Sequence, residues 1–271
     1  MNKPSFGPFG ITTGLTSSPD SLEAARIAED LGYPAIWLSG GPLPGLQTIK
    51  DLVEATSTIR YVSGILSIDT YPADDVTSTY AAIESATPGR FTVGLGGAHG
   101  PHPLASMTTY LDQLTGVPKA HRLLAALGPR MLELARTQTA GAYPFLVTPE
   151  YTTEARRLLG DDKLLAVSHL VVVEPDPDKA RAIARNTLSF FTTLPGYAAN
   201  LHRMGFTDTD FRTLPNHMVD ALTAWGTPPQ IAASLHQHLE AGADHVALNV
   251  ITGVTGPQPT TQWRALASAL L

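Results

Sequence analysis

The sequence predicts a (β/α)8 barrel with extra helices inserted after its seventh strand, and three observations predict it. Eight short runs of β-branched and apolar residues are each followed by an amphipathic helical stretch. Consecutive parallel strands need long crossovers, and a helix is the usual one. The length, 271 residues, suits eight such units closed into a single domain spanning 1–271 better than an open doubly wound sheet. One connection, 175–242, is far too long for a single crossover and reads as several helices.

The first strand is expected at 9–12 and its helix starts near Pro19, with Leu22, Ala25, Ala28 and Leu31 on one face and Gly32 as the stop. The second strand covers 35–38 and runs into Ser39-Gly40-Gly41; its helix is 46–58. Strand three is 61–68, with Gly64 inside it, followed by a helix over 76–85. Strand four is 91–96, then a loop of small residues and a helix near 107–114. Strand five is 123–127, and Gly128-Pro129 opens the next helix. Strand six is placed at 143–147 despite Pro144, which lacks the N–H a strand interior needs. Strand seven lies within 164–173, and helices are expected at 179–191, 196–204, 218–225 and 228–241. Thr227-Pro228 forms the N-cap of the last of these, and Gly242 ends it. Strand eight is 245–250, and a helix from Trp263 closes the ring.

Composition removes several function classes. A formal charge of −6 argues against a nucleic-acid binder, which carries basic patches. No apolar run reaches the roughly 18 residues of a membrane span, and residues 1–8 carry no apolar signal core. The absence of cysteine excludes disulfides, thiolate zinc sites and cysteine nucleophiles. A cytoplasmic enzyme acting on a small molecule is expected.

Barrels of this type carry their chemistry at the C-terminal strand ends. That selects Ser39 and Gly40, Ser67 and Asp69, Gly96 through His99, Gly128, Thr148, Glu174 and Asn249. No lysine falls in the set, so Schiff-base chemistry is not expected. His99 and His102 are three apart in a loop with glycine and proline, where that spacing fixes no common face, and no metal site is expected. Glu150 stands in a first helical turn, where the dipole favours a carboxylate, so a structural role outweighs a carboxylate pair with Glu174.

What the strand ends offer is glycine. Gly96 and Gly97 allow a flat ligand close to the backbone. Gly128-Pro129-Arg130 combines free amides, a helix dipole and a cation that one anion could face, or is a plain tight turn with a surface arginine. Gly64 marks a bulge or a close backbone approach. Together they suggest a planar, phosphorylated cofactor across the barrel mouth.

The run Gly89-Arg90-Phe91-Thr92-Val93-Gly94-Leu95-Gly96 resembles the fourth-strand signature of the bacterial-luciferase-like flavin and deazaflavin oxidoreductases. The segments from Arg122 to Ala135, from Gly141 to Glu150, and from Trp225-Gly226-Thr227-Pro228 to Val246 resemble an actinobacterial branch that depends on coenzyme F420. The resemblance implies a TIM-type barrel, a non-prolyl cis peptide in strand three at Gly64-Ile65, and a homodimer. It implies a phosphate site at Gly128, Pro129 and Arg130 with Thr148 as hydroxyl donor, and a ring bordered by Ser39, Gly64, Ile65, Gly96, Gly97 and Ala98.

The chain departs from the family pattern where strand two ends in Ser39-Gly40-Gly41, without the acid–histidine pair of many deazaflavin-dependent members. It also has His99 where some members have a glutamate. His99 is therefore the candidate acid–base residue, since an imidazole ordinarily titrates near neutrality. The expected function is hydride transfer between F420 and a small organic substrate. An FMN-dependent monooxygenase, or a non-catalytic flavin-binding protein on the same barrel, is the alternative.

Overall fold

A computed structural model describes residues 3–39, 43–254 and 256–271. The chain runs β1 (Phe9–Thr13), α1 (Pro19–Asp30), β2 (Ala35–Ser39), α2 (Gln47–Ala55), β3 (Arg60–Gly64), β4 (Leu66–Ser67), α3 (Ala73–Ala86), β5 (Phe91–Gly96) and α4 (Pro103–Gln113). A 3-10 turn (Lys119–His121) precedes β6 (Arg122–Leu124), α5 (Pro129–Gln138), β7 (Gly141–Ala142), α6 (Pro149–Leu159) and β8 (Leu164–Val172). Then follow α7 (Pro177–Phe191), α8 (Pro195–Arg203), α9 (Asp208–Thr213), α10 (Asn216–Leu222), β9 (Thr223–Trp225), α11 (Pro228–Glu240), β10 (His245–Val250) and α12 (Thr260–Leu270).

All pairings are parallel, and β10 bonds to both β1 and β8, so the sheet closes. The ring has eight positions: β1, β2, β3 with β4, β5, β6, β7, β8 and β10. This is the expected (β/α)8 barrel. The extra helices α7 to α10 lie where expected, between β8 and α11.

Local chemistry sets the helix boundaries. Ser18 caps α1 and Asp176 caps α7, and reciprocal capping boxes start α9 and α11. Gly32 and Gly242, just past α1 and α11, have φ of +87° and +102°, which an L side chain rarely adopts. The apolar helix faces pack on the outside of the barrel around Ile36, Leu52, Val76, Leu132 and Trp263.

Inside the barrel, large and small residues alternate. Trp37 and Tyr143 stack with ring centroids 4.1 Å apart, and Phe6 meets Trp37 edge-on at 5.6 Å. Ala35, Ala166 and Ala247 leave room for them. Trp37 Nε1 donates to His245 Nε2 at 2.9 Å, and His245 Nδ1 donates to the Gly7 carbonyl at 2.7 Å. Burial pushes this neutral imidazole's pKa down to about 4. A Cβ on Gly10 would come within 2.8 Å of His245 Nε2, so glycine is needed beside the ring.

Four expectations need correction. Strand three is not continuous: the Gly64-Ile65 peptide is cis, as the resemblance implied, and it separates β3 from β4. Across the break Ser63 substitutes for backbone pairing. Its hydroxyl donates to the Gly94 carbonyl and accepts from the Gly94 N–H, at 2.9 and 2.8 Å. Strand six is not 143–147 but Gly141–Ala142, because Pro144 has no N–H and Leu146 turns to φ +55°. Beyond it the Tyr143 N–H donates to the Leu124 carbonyl at 2.7 Å, and an isolated bridge joins Phe145 to Ser168. The helix expected at 218–225 ends at Leu222, and β9 extends beside the C-terminal end of β8. Helix α9, unforeseen, is a short helix of 6 residues started by its capping box.

Candidate active site

The selected residues that the structure describes lie at one end of the barrel. Ser39 ends β2, Gly64 and Ile65 join β3 to β4, Gly96 ends β5, and Gly97, Ala98 and His99 follow it. Gly128 caps α5 after β6, and Thr148 caps α6 after β7. Gly40 and Gly41 lie outside the described residues.

The glycines have different reasons to be glycine. A Cβ on Gly64 would lie 2.9 Å from the Tyr143 ring inside the barrel. One on Gly96 would lie 2.7 Å from Ile65 Cγ1 and 3.2 Å from Ala125 Cβ. These two residues therefore make room for the protein's own side chains, and Gly96 seats Ile65. Gly97 has φ +85°, and a Cβ there would overlap Ser67 Oγ. Ala98 follows at φ +61° and is buried. This left-handed pair turns the chain so that His99 reaches Asp69.

That contact brings an acid and a histidine together across the ends of β4 and β5. His99 Nδ1 is 2.9 Å from Asp69 Oδ2, and the His99 backbone N–H donates to the same oxygen at 3.1 Å. The backbone bond first, then the ring, holds the Asp69 carboxyl below its ordinary range. An ionised Asp69 can only accept, so Nδ1 carries the proton and Nε2 remains for another partner. Both side chains are open to solvent, 77% for His99 and 45% for Asp69.

Near Gly128 lie the guanidinium group of Arg203 and, in the same helical turn, Arg130. Gly128 has no side-chain cap for α5, and Pro129 supplies the first turn. A Cβ built on Gly128 would meet nothing nearer than Arg203 Nη2, at 3.6 Å. Arg203 comes from α8, where Nη2 donates to buried Asn200 at 2.8 Å. Arg130 is exposed in the same first turn of α5. Tyr151 donates to the Ala126 and Leu127 carbonyls at 3.2 and 2.9 Å, so those strand-end oxygens are occupied. Thr148 accepts from the Tyr151 N–H at 3.3 Å as the cap of α6. Glu150, in the turn after it, is held below its ordinary range by its own backbone N–H and the Thr148 hydroxyl.

Across the ring from β6 stands β1. A cavity of about 420 Å³ opens there, at the ends of β1, β2 and β10 and against α7. Ser39, Thr13 and Asn249 line it with Asn186, Thr187 and Gln258. Arg203 and the cavity wall from α7 were not evident as site parts in the sequence, and Asp69 was evident as a strand-end residue but not as the partner of His99. Each depends on how a distant helix or loop docks.

Comparison with known proteins bears on the fold. No protein-family model matches the chain. An uncharacterized protein of Bacillus subtilis (strain 168), YwcH, is 34% identical over 99 residues, which is 34% of this chain and 29% of that protein. Solved structures match from end to end. An F420-dependent secondary alcohol dehydrogenase, in complex with an F420-acetone adduct, aligns over 100% of this chain and 98% of its own, with TM-score 0.75 and 14% identity. A coenzyme F420-dependent tetrahydromethanopterin reductase from Methanopyrus kandleri aligns over 98% and 99%, with TM-score 0.72 and 17% identity. The oxygenating constituent of 3,6-diketocamphane monooxygenase from Pseudomonas putida, in complex with FMN, aligns over 98% and 99%, with TM-score 0.63 and 12% identity. The chain shares the fold of these oxidoreductases. Among the described residues no helix is long and apolar enough to cross a membrane.

Proposed function

We propose that this chain is an oxidoreductase of the luciferase-like class that binds the deazaflavin coenzyme F420 and transfers a hydride between it and a small organic substrate. The end-to-end likeness to an F420-dependent alcohol dehydrogenase is the observation that carries this reading. When bound, the deazaflavin supplies two-electron hydride chemistry; the protein supplies binding, orientation and electrostatics.

The residues fit such a group. The place beside Gly128 is open and faces the Arg203 guanidinium, so an anionic tail meets a cation, the N-terminal end of α5 with the Arg130 N–H, and the Arg130 side chain. Pro129 forms the first turn of α5, and Thr148 stands at the next strand end. Ser39, Gly64, Ile65, Gly96, Gly97 and Ala98 border the mouth between this site and the cavity across the ring. His99 holds or releases a proton at Nε2, while Asp69 fixes its tautomer through Nδ1. The missing acid–histidine pair of strand two is thus replaced by a pair built on strands three and four of the barrel.

FMN is the second cofactor in this reading, since an FMN-bound monooxygenase also shares the fold. As one domain, 1–271, the chain acts in the cytoplasm as a homodimer. Mixing the protein with oxidised F420 and a panel of alcohols, in a stopped-flow instrument, tests the activity. Loss of deazaflavin absorbance with substrate supports it. Saturable binding of the coenzyme with no turnover under any donor would make the chain a carrier instead.

A further inference from the structure

The cavity opposite the Gly128 site has an unusual lining. No Lys, Arg, Asp, Glu or His is among its wall residues. Its undescribed neighbours in sequence, residues 40–42 and 255, are Gly, Gly, Pro and Thr, which have no ionisable side chain either. The wall is nonetheless rich in hydrogen-bonding groups. Thr13 donates to Gln258 Oε1, and Gln258 Nε2 donates to the Gly14 carbonyl at 2.6 Å, which fixes that amide across the wall. Among the described residues, the side chains of Ser39, Asn186 and Asn249 make no hydrogen bond to the protein, so their donors and acceptors remain for a ligand. Helix α12 starts in this wall; its N-cap is Pro259, and the Thr260 N–H donates to the Gln258 carbonyl at 2.8 Å.

We propose that this cavity is the substrate site and that it selects an uncharged, hydrogen-bonding molecule, such as an alcohol, ketone or amide, over a carboxylate or phosphate of the same shape. A charged ligand there gives up water for a wall with no counter-charge, whereas a neutral carbonyl or hydroxyl exchanges water for amide and hydroxyl partners at little net cost. The volume lies within the range of small-molecule sites. The inference rests on the oxidoreductase reading only in naming the ligand a substrate, because ligand binding to the cavity can be measured without any cofactor.

The test is a set of isosteric pairs: acetamide and acetate, benzamide and benzoate, cyclohexanecarboxamide and cyclohexanecarboxylate. Protein NMR titration follows the side-chain amide signals of Asn249 and Gln258. The expected result is that amides bind at least about tenfold tighter than their acids, as the cost of an unpaired charge requires. Asn186→Lys, on the exposed side of α7, is expected to strengthen acid binding about tenfold or more and so to narrow the preference for amides. Acids binding as tightly as amides, no amide reaching the cavity, or an Asn186→Lys protein with unmoved acid affinity would each overturn the proposal. None of these outcomes bears on whether F420 binds.

Discussion

Substitution of Gly128 by aspartate separates binding from folding. The backbone there is extended, with φ −91°, and a Cβ meets only Arg203 at 3.6 Å, so the side chain fits. Aspartate is also among the best N-cap residues, so α5 is expected to hold or gain a few tenths of a kcal/mol. The new carboxylate reaches the Arg203 guanidinium and claims it. A charge pair at about 4 Å is worth about 4 kcal/mol at an effective dielectric constant of 20 and about 1 kcal/mol in water. The site is partly open, so about 2 to 3 kcal/mol of attraction for an anionic coenzyme is expected to be lost. That is a rise of roughly 30- to 150-fold in Kd. The control is Gly128→Asn, which adds the same volume without charge and is expected to cost less than about threefold in Kd. Fluorescence titration with F420 gives Kd, and thermal unfolding gives stability. A Gly128→Asp protein that binds F420 as tightly as the Gly128→Asn protein would refute the electrostatic argument and remove Gly128 and Arg203 from the site.

Other expectations follow from the same geometry. His99→Ala should lower kcat by about 10²-fold with little change in coenzyme Kd, as for loss of a general acid–base group, and Asp69→Asn should shift the pH profile of kcat; unchanged kinetics in both would mean that the pair only ties two loops together. Burial holds the His238 and His245 pKa values at about 4 against an ordinary 6.5, and His169 is pushed down as well. The unfolded chain therefore takes up these protons below pH 6.5 and the native one does not, so stability is full above pH 6.5 and falls as pH drops towards 4. Each of the first two contributes about 3 kcal/mol over that window. Urea midpoints that stay constant between about pH 7 and pH 4.5 would contradict it. Gly94→Ala should lower stability by about 3 kcal/mol or more, because its Cβ would overlap the Ser63 carbonyl in the strand pairing that Ser63 bridges. A midpoint within error of the parent protein would show that the barrel wall yields there.

The ring was legible because its helices carry strong periodicity and clear caps. Thr227-Pro228 and Gly242 bound α11 as the sequence implies. The sixth strand was not, since a run of apolar residues cannot show that Pro144 and Leu146 bend the backbone away from its neighbour. The end of β2 and the glycines at the mouth were legible as positions but not as reasons. That Gly96 faces Ile65, and Gly64 faces Tyr143, depends on side chains brought in by packing. Asp69 and His99 are 30 residues apart, and only the left-handed turn at Gly97 and Ala98 joins them. Arg203 is further still from Gly128 in sequence, and its place is set by how α8 docks on buried Asn200. Residues that share a site through tertiary contact leave no spacing to read.

The central claim is that a flat, anionic redox coenzyme binds at this barrel mouth, and an equilibrium titration of the purified chain with F420 and with FMN tests it most directly. Saturable binding of F420, tighter than FMN and weakened by salt, is the predicted result. Binding of neither coenzyme would contradict the account, and tighter binding of FMN would overturn its choice of deazaflavin.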